Sequence, residues 1–503
     1  MDEPGFQLQV RTLASAVTPE EAFTALFHEA TPSFWLDSSL VAESLSRFSF
    51  MGDARGPHAE YVSYCLRDRR VVVRRHGDVV EEQIAFLDYL ERELARRAVV
   101  REELPFDFDL GYVGYLGYEM KADCGARAAH TSPTPDAAFV FCDRMLAFDH
   151  LGGLIYLLAL SNDETEPAAL EWLEATGRAL HALELSPEGM EPLSAPIECP
   201  SLRYRHTLPE YERLVERCQA EIEAGESYEV CLTNMLSIDG ETGPFAAYRA
   251  LRSRCPAPFS SYLQFPEVCV LSSSPERFLQ VDRTGRVESR PIKGTRRRGS
   301  TADEDRSLKD ELVSSEKDRA ENMMIVDLMR NDLSRVCEIG SVRVAALFEI
   351  ESYATVHQMV SAIHGVLRSE ESAVTCVRAA FPPGSMTGAP KLRTMEIIDR
   401  FEQGARGVYS GALGYFALNG SADLSVVIRS IVTTDGTATI GVGGAVTALS
   451  DPGEEVEETL VKAHGLLDVL APARPAKEQT NQAFALHLSG ESTTRRDFQE
   501  RIQ

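Results

Sequence analysis

Two segments carry carboxylates at spacings that could hold a divalent cation. Glu311 to Val336 is predicted as one long helix, in which Asp318 and Glu321 lie three residues apart and share a face. Met323-Met324-Ile325-Val326 follow, apolar all round, so this part of the helix should be buried. A carboxylate at the mouth of a buried helix needs a partner or a cation. A final helix, predicted from about Glu454 to Val469, groups Glu455, Glu458 and Lys462 on one face and Val456, Leu460, Ala463 and Leu467 on another. Two readings stand side by side. In one, Glu458 pairs with Lys462 at i,i+4, worth a few tenths of a kcal/mol, and the Asp318 turn is capped and solvated. In the other, Glu458 meets Glu321 across a cleft and, with waters and a substrate oxyanion, the two hold Mg²⁺.

An acid and an amine occupy a second stretch, VCVLSSSPERFLQVDRTGRVESRPIKGTRRRG from Val268 to Gly299. Its β-branched and apolar runs, separated by Asp282-Arg283-Thr284-Gly285, predict strand, turn and strand. With Thr284-Gly285 at the tip, facing residues have numbers that sum to 569, which sets Glu276 opposite Lys293. Opposed residues of an antiparallel pair hold their Cβ atoms about 4.5–5.5 Å apart, so acid and amine would share one sheet face. Five cations, Arg290, Lys293, Arg296, Arg297 and Arg298, crowd nine positions here.

The elements around these groups belong to an ordinary globular enzyme by composition. The chain has 503 residues, 44% hydrophobic and 25% charged, enough for one large or two to three ordinary domains. Its net charge of −26 argues against nucleic acid or an anionic membrane as main partner, so an anionic substrate must be gathered by a local basic patch, a metal or helix N-termini. The ten cysteines are scattered singly, without a C-x-x-C pair, and read as reduced core residues. The acidic start MDEPGF has no apolar signal region, and the longest apolar run, Leu151 to Leu160, is far short of a membrane helix; both predict a cytoplasmic protein.

Residues 1–190 mix short strands and helices. They include a strand at Val71–Val73, a helix from Glu82 to Arg97, a glycine-rich aromatic strand at Gly111–Tyr118 and a helix from Glu164 to Glu184. Ser186 to Pro200 reads as a linker. Residues 200–470 form a second region. Its expected elements are helices at Leu208–Ala224, Phe245–Arg254 and Leu392–Phe401, and strands at Tyr228–Ile238, Ala412–Leu418, Leu424–Thr433 and Thr437–Val442. Residues 471–503, rich in Pro, Gln, Ser and Arg, read as a disordered tail. Strands and helices in mixed order, without a βαβ rhythm, favour α+β with largely antiparallel sheets.

Two glycine loops look like nucleotide sites and are not. FPPGSMTGAPK, from Phe381 to Lys391, has three residues between its glycines and places Ala-Pro before the lysine, unlike a phosphate-binding P-loop. Gly441-Val442-Gly443-Gly444-Ala445 is followed by Val446 where a dinucleotide fingerprint needs Gly or Ala. Either loop could still be a tight turn or offer backbone N–H groups to a carboxylate.

Taken together, the motifs resemble the chorismate-utilising enzymes. They are SSSPERF (Ser272 to Phe278), PIKGTR (Pro291 to Arg296), DRAENMMIVDLMRNDL (Asp318 to Leu333), FPPGSMTGAPK, YSGALGY (Tyr409 to Tyr415) and a final GGA followed by DPGEEVEET. FWLDSS (Phe34 to Ser39) and GYLGYE (Gly114 to Glu119) extend the likeness over nearly the whole chain. The resemblance implies an anthranilate synthase component I-like fold, with antiparallel sheets packed as a sandwich and surrounded by helices. It implies Mg²⁺ held by Glu321 and Glu458, with Asp318 and Glu455 behind them. Tyr409, Arg429 and the backbone of Gly443, Gly444 and Ala445 would hold the chorismate carboxylates. Gly294, Thr295 and Ser385 would line the site, with His357 beside the leaving group. Glu276 would be the general acid for the departing hydroxyl, which needs a proton donor and a Lewis acid to leave near neutral pH.

Lys293 places the chain on one branch of that family. Anthranilate-type members resemble PIAGT, whereas the type that aminates C4 to 4-amino-4-deoxychorismate, the precursor of 4-aminobenzoate, carries PIKGT, as here. In that chemistry the lysine adds to C2 as the C4 hydroxyl leaves, and ammonia then enters C4 and expels it. The amine must be partly neutral, and Arg290 and Arg296 are expected to lower its pKa. At Glu229, water-adding relatives carry a lysine base and many ammonia-using ones a glutamine. Tryptophan-inhibited relatives carry LLES where this chain has Trp35-Leu36-Asp37-Ser38. No glutaminase motif is present, so ammonia is expected from a separate glutamine amidotransferase. The competing readings are a C2-aminating member, making anthranilate or 2-amino-2-deoxyisochorismate, and a catalytically idle scaffold or RNA-binding protein using Arg296-Arg297-Arg298.

Overall fold

Alternation along the strands builds the protein: in Phe34-Trp35, Tyr262-Leu263 and Val270-Leu271, adjacent apolar side chains enter different cores. A computed structural model describes residues 5–42, 45–97, 99, 103–185, 201–240, 243–353 and 356–470. The expected linker at 186–200 and tail at 471–503 lie outside the described residues. Two twelve-stranded sheets, each a path of eleven strands with one more paired off it (Gly388–Ala389 on Glu229–Asp239 and Arg343–Ser352 on Val356–Val366), antiparallel in every strand pairing, dominate an α+β fold.

The first sheet runs Gln7–Ala14, Leu154–Ser161, Arg144–Asp149, Phe48–Asp53, Ser33–Asp37, Phe259–Gln264, Cys269–Ser274, Ser430–Thr434, Thr437–Val446, Glu229–Asp239 and Ser201–Tyr204. The second runs Ile292–Arg297, Val356–Val366, Arg286–Ser289, Arg277–Val281, Ala422–Val426, Ala412–Ala417, Gly111–Leu116, Ala137–Cys142, Glu60–Cys65, Arg70–Arg75 and Asp78–Gln83. Each sheet therefore draws strands from both sides of residue 200. One core joins them, with Phe34, Leu263 and Val270 of the first meeting Tyr112, Val140 and Leu424 of the second. The other face of the first sheet carries Trp35, Tyr262, Leu271 and Ile440, packed with Phe23, Leu180, Tyr248 and Leu466 from four helices. No helix among the described residues is long and apolar enough to cross a membrane.

The structure departs from the predicted elements at several places, two of which shape the site. The long helix is two, Ala302–Ser314 and Glu316–Ser334, because the Ser315 side chain accepts from the Asp318 N–H at 3.2 Å and caps a new start. The single strand Leu424–Thr433 is also two, Ala422–Val426 and Ser430–Thr434, lying in different sheets. Nearer the N-terminus, Asp78–Gln83 is a strand and the following helix begins only at Phe86.

Candidate active site

The two sheets exchange strands at one seam, and the seam positions the acid. Cys269–Ser274 of the first sheet passes through Pro275-Glu276 into Arg277–Val281 of the second. Ala422–Val426 of the second returns through Val427-Ile428-Arg429 into Ser430–Thr434 of the first. Backbone bonds stitch the crossings together: Val426 N–H donates to Glu276 O at 3.0 Å and Ser273 N–H to Arg429 O at 3.1 Å. Glu276 is only 5% exposed. Burial pushes its carboxyl up to about 7, offset in part by the Ser385 hydroxyl, the charge of Lys293 and the Ile292 N–H.

The hairpin register differs from the expected one by a single residue. Gln280 faces Glu288 and Val281 faces Val287, so facing numbers sum to 568 and Lys293 does not lie opposite Glu276. The loop has three residues, not two: Asp282 N–H donates to Arg286 O at 2.9 Å, and Gly285 closes the turn with φ +79°. What aims Lys293 is a β-bulge. Ile292 pairs with Val360 and Thr295 with Gln358, leaving Lys293 and Gly294 together against Met359. Gly294 has φ +83°, and a Cβ there would stand 2.8 Å from Asp318 Cγ, so only glycine fits the approach to helix Glu316–Ser334.

Lys293 Nζ donates to Glu229 Oε1 at 2.7 Å, joining the second sheet to a wholly buried carboxylate on the first. Burial alone would lower the Lys293 pKa, but the charges of Glu229 and Glu321 outweigh it and raise it. The expected lowering by neighbouring arginines is therefore not found. Arg290 pairs with Glu351, Arg296 with Glu311 and Asp318, Arg297 with Glu304, and Arg298 with Asp305. Among the described residues the four arginines of the basic cluster are thus each paired with an acid. Glu276 still feels the Lys293 charge, so acid and amine share one buried region although the register places them differently.

The carboxylates gather around another lysine. Lys317 Nζ donates to Glu455 Oε1 at 2.9 Å, lies 4.0 Å from Glu321 Oε1, and feels Glu458 as well. Helix Pro452–Leu470 buries Glu455, Thr459, Ala463, Leu466 and Leu470, so Glu455 belongs to its inner face, contrary to the predicted apolar stripe. Burial pushes Glu321 up to about 7; Lys293 relieves it while Glu229 adds to it. Glu458 makes the expected pair with Lys462 at 2.5 Å, yet its side chain is 46% exposed in a cleft that also exposes it to the charges of Lys317 and Lys293.

No group of three or more His, Cys, Asp or Glu side chains among the described residues converges tightly enough to hold a metal ready-made. The donors nevertheless suit one. Glu321 Oε1 and Glu455 Oε2 are buried without hydrogen-bond partners, and an ammonium stands between their carboxylates. Oxygen-only donors with a solvent-facing side match a hard cation such as Mg²⁺. Asp318 is held by Arg296 at 3.0 Å.

Arg429 adopts φ +51° at the strand crossing, and its guanidinium has no hydrogen-bond or ion-pair partner among the described residues. Its charge is felt by Tyr409, Glu458 and Cys255, and burial pulls its pKa down. Tyr409 packs over Gly441, where a Cβ would stand 2.1 Å from the ring. Gly443, Gly444 and Ala445 follow on the same strand, paired with Thr233, Leu232 and Cys231. Beneath lies a buried ion pair, Arg406 with Glu402 at 2.6 Å, whose guanidinium also donates to Met386 O and Cys231 O at 2.7 Å.

Ser385 borders Glu276, and Thr295 is exposed beyond the bulge. His357 is engaged on both nitrogens, by Ser352 at 2.8 Å and Asp305 at 3.0 Å, so neither is free for a leaving group in this arrangement. Lys391 is structural: it pins the Phe381–Lys391 loop through Asp332, Ala380 O and Pro382 O. Leu36, Asp37 and Ser38 line a separate cavity of about 320 Å³ with Arg277, Tyr415 and Asp423. Sequence reasoning missed Lys317 and the Glu229–Lys293 pair. Lys317 stands four residues before Glu321, a helical ion-pair spacing that could have revealed it; Glu229 has no local signal.

Comparison with known proteins gives the family and the fold. The family model for chorismate binding enzyme matches residues 46–468, and the chain belongs to that family. It is 54% identical over 93% of its length to an aminodeoxychorismate synthase of Streptomyces pristinaespiralis. It is 36% identical to anthranilate synthase component 1 of Pseudomonas putida, covering 94% of this chain and 96% of that one. The chain spans 66% of the Streptomyces pristinaespiralis protein and 52% of an Arabidopsis thaliana chloroplastic aminodeoxychorismate synthase. Among solved structures, anthranilate synthase component I from Streptococcus pneumoniae TIGR4 superposes with a TM-score of 0.72 at 28% identity, covering 90% of this chain and 97% of that one. The fold is thus that of anthranilate synthase component I.

Proposed function

We propose that this chorismate-binding enzyme aminates chorismate at C4, giving 4-amino-4-deoxychorismate through a covalent adduct of Lys293 at C2. The observation that carries the reading is Lys293 itself. It stands in PIKGT, and a bulge turns its amine into a buried region shared with the acid Glu276. Glu276 keeps its proton to near neutral pH, as a donor to a departing hydroxyl must. Arg429, whose guanidinium has no hydrogen-bond or ion-pair partner among the described residues, and Tyr409 would receive the substrate carboxylates together with the backbone of Gly443, Gly444 and Ala445. Gly294, Thr295 and Ser385 would line the same site, with His357 beside the leaving group. Glu321 and Glu458 would hold Mg²⁺, with Glu455 and Asp318 behind them, and the ion supplies Lewis acidity and charge for a carboxylate-bearing substrate.

The residues assigned here fall within 276–458, and we assign the chemistry to residues 200–470, with 1–190 completing both sheets. Ammonia would come from glutamine through a partner amidotransferase, in the cytoplasm, where the unpaired cysteines would stay reduced. The likeness to proteins named aminodeoxychorismate synthase supports C4 amination over the C2 chemistry of the more distant anthranilate synthases. Incubation with chorismate, Mg²⁺ and ammonium, followed by mass spectrometry, tests the reading. It expects 4-amino-4-deoxychorismate, lost in Lys293→Ala; anthranilate fluorescence, or an unaffected Lys293→Ala variant, overturns it.

A further inference from the structure

The contact between Lys293 and Glu229 crosses from one sheet to the other and lies almost wholly out of solvent. The Glu229 side chain has no exposed surface and that of Lys293 only 10%. Glu229 Oε1 lies 2.7 Å from Lys293 Nζ, whereas Glu229 Oε2 has no hydrogen-bond partner. The remaining charges facing the amine are Glu321 from helix Glu316–Ser334, Glu276 from the strand crossing and Glu458 from helix Pro452–Leu470, with the Cys231 thiol beside it. None of these makes an ion pair with Lys293 within 4.0 Å among the described residues; Glu229 does.

We propose that Glu229 is the proton acceptor that activates Lys293, holding its proton while the amine is bonded to substrate. The proposal rests on the covalent Lys293 reading above and adds to it the step that reading lacks. A lysine held as an ammonium cannot attack, and in this structure the surrounding acids favour that form. Transfer of one proton to Glu229 leaves a neutral amine and a neutral carboxylic acid, with no charge left unpaired in the buried space.

The protons then balance through the cycle. The Lys293 lone pair forms the N–C2 bond, the ring double bonds shift, and the C4–O bond breaks as Glu276 protonates the hydroxyl, which leaves as water. Ammonia adds at C4, the electrons return through the ring, and the C2–N bond breaks to release neutral Lys293. The new C4 ammonium returns a proton to Glu276, and Glu229 returns its own to Lys293. Chorismate and ammonia are consumed; aminated product and water are formed.

The test compares the pH dependence of kcat/KM for chorismate, between pH 7 and 9, in wild type and in Glu229→Gln, with saturating ammonia at every pH. Each variant value is divided by the wild-type value at the same pH, which removes the Glu276 limb common to both. Internal transfer predicts that the Glu229→Gln to wild-type ratio rises with pH, up to tenfold per pH unit, because the amine of the variant must lose its proton to the little water that reaches it. A purely positional role would lower activity at all pH values by one factor, and parallel profiles overturn the proposal. Should Glu229→Gln show no turnover at any pH, Glu229→Ala with added formate decides. Rescue in proportion to formate supports a proton acceptor; no rescue in a folded variant overturns it. Lys293→Ala at wild-type rate would instead remove the covalent reading, separating that failure from a failure of Glu229.

Discussion

Replacing Glu276 with glutamine should destroy the activity and stabilise the protein above neutral pH. The side chain is 5% exposed, and burial holds its carboxyl at about 7 against an ordinary 4.5. A carboxyl raised on folding stays protonated longer in the native state, so its contribution is whole below 4.5 and is lost as pH rises through about 7. At 1.36 kcal/mol per pKa unit, the charged form costs the native state about 3 kcal/mol once the group is ionised on both sides of unfolding. Glutamine keeps the shape and cannot ionise. The stability difference between Glu276→Gln and wild type should therefore grow by about 3 kcal/mol between pH 4.5 and pH 8 and then level off. Urea unfolding of both proteins across this range measures it, and taking the difference removes the titration of every other group. Turnover in the variant should fall by roughly 10²–10⁴-fold. Wild-type turnover should decline above pH 7 as the donor loses its proton. A stability difference that does not change with pH would refute the argument, whatever happens to the activity.

Three further perturbations address the rest of the site. Gly441→Ala puts a methyl 2.1 Å from the Tyr409 ring, which must retreat by more than 1 Å to reach ordinary contact; kcat/KM should drop about 100-fold, with about 1–3 kcal/mol of stability lost. Steady-state kinetics with a melting curve would show it, and wild-type kinetics would count against Tyr409 as a substrate contact. Arg429→Ala removes a guanidinium with no hydrogen-bond or ion-pair partner among the described residues, so KM for chorismate should rise about 10–100-fold while the melting temperature holds. A stability loss without a KM change would place Arg429 outside the substrate site. Lys317→Met withdraws the ammonium that lies 2.9 Å from Glu455 and 4.0 Å from Glu321, so calorimetry without chorismate should find Mg²⁺ bound at least about tenfold more tightly. Unchanged or weaker Mg²⁺ binding would show that the ion does not compete for this place.

Periodicity, composition and local motifs were enough to establish the mixed α+β class, most element positions and the residues that bear the chemistry. Those signals are local: alternating apolar residues mark a strand, and Asp318 with Glu321 must share a helix face wherever that helix packs. Which groups touch was decided by tertiary structure. A three-residue loop at Arg283-Thr284-Gly285 shifted the hairpin by one position, and a bulge at Lys293-Gly294 then re-aimed the amine. Its partner, Glu229, lies on the other sheet and carries no nearby sequence signal. The electrostatics followed from that placement. Counting neighbours along the chain suggests an amine surrounded by arginines, yet folding pairs each arginine with an acid and leaves Lys293 facing Glu229 and Glu321. Charge acts through space and low dielectric, so proximity in the chain did not foretell it.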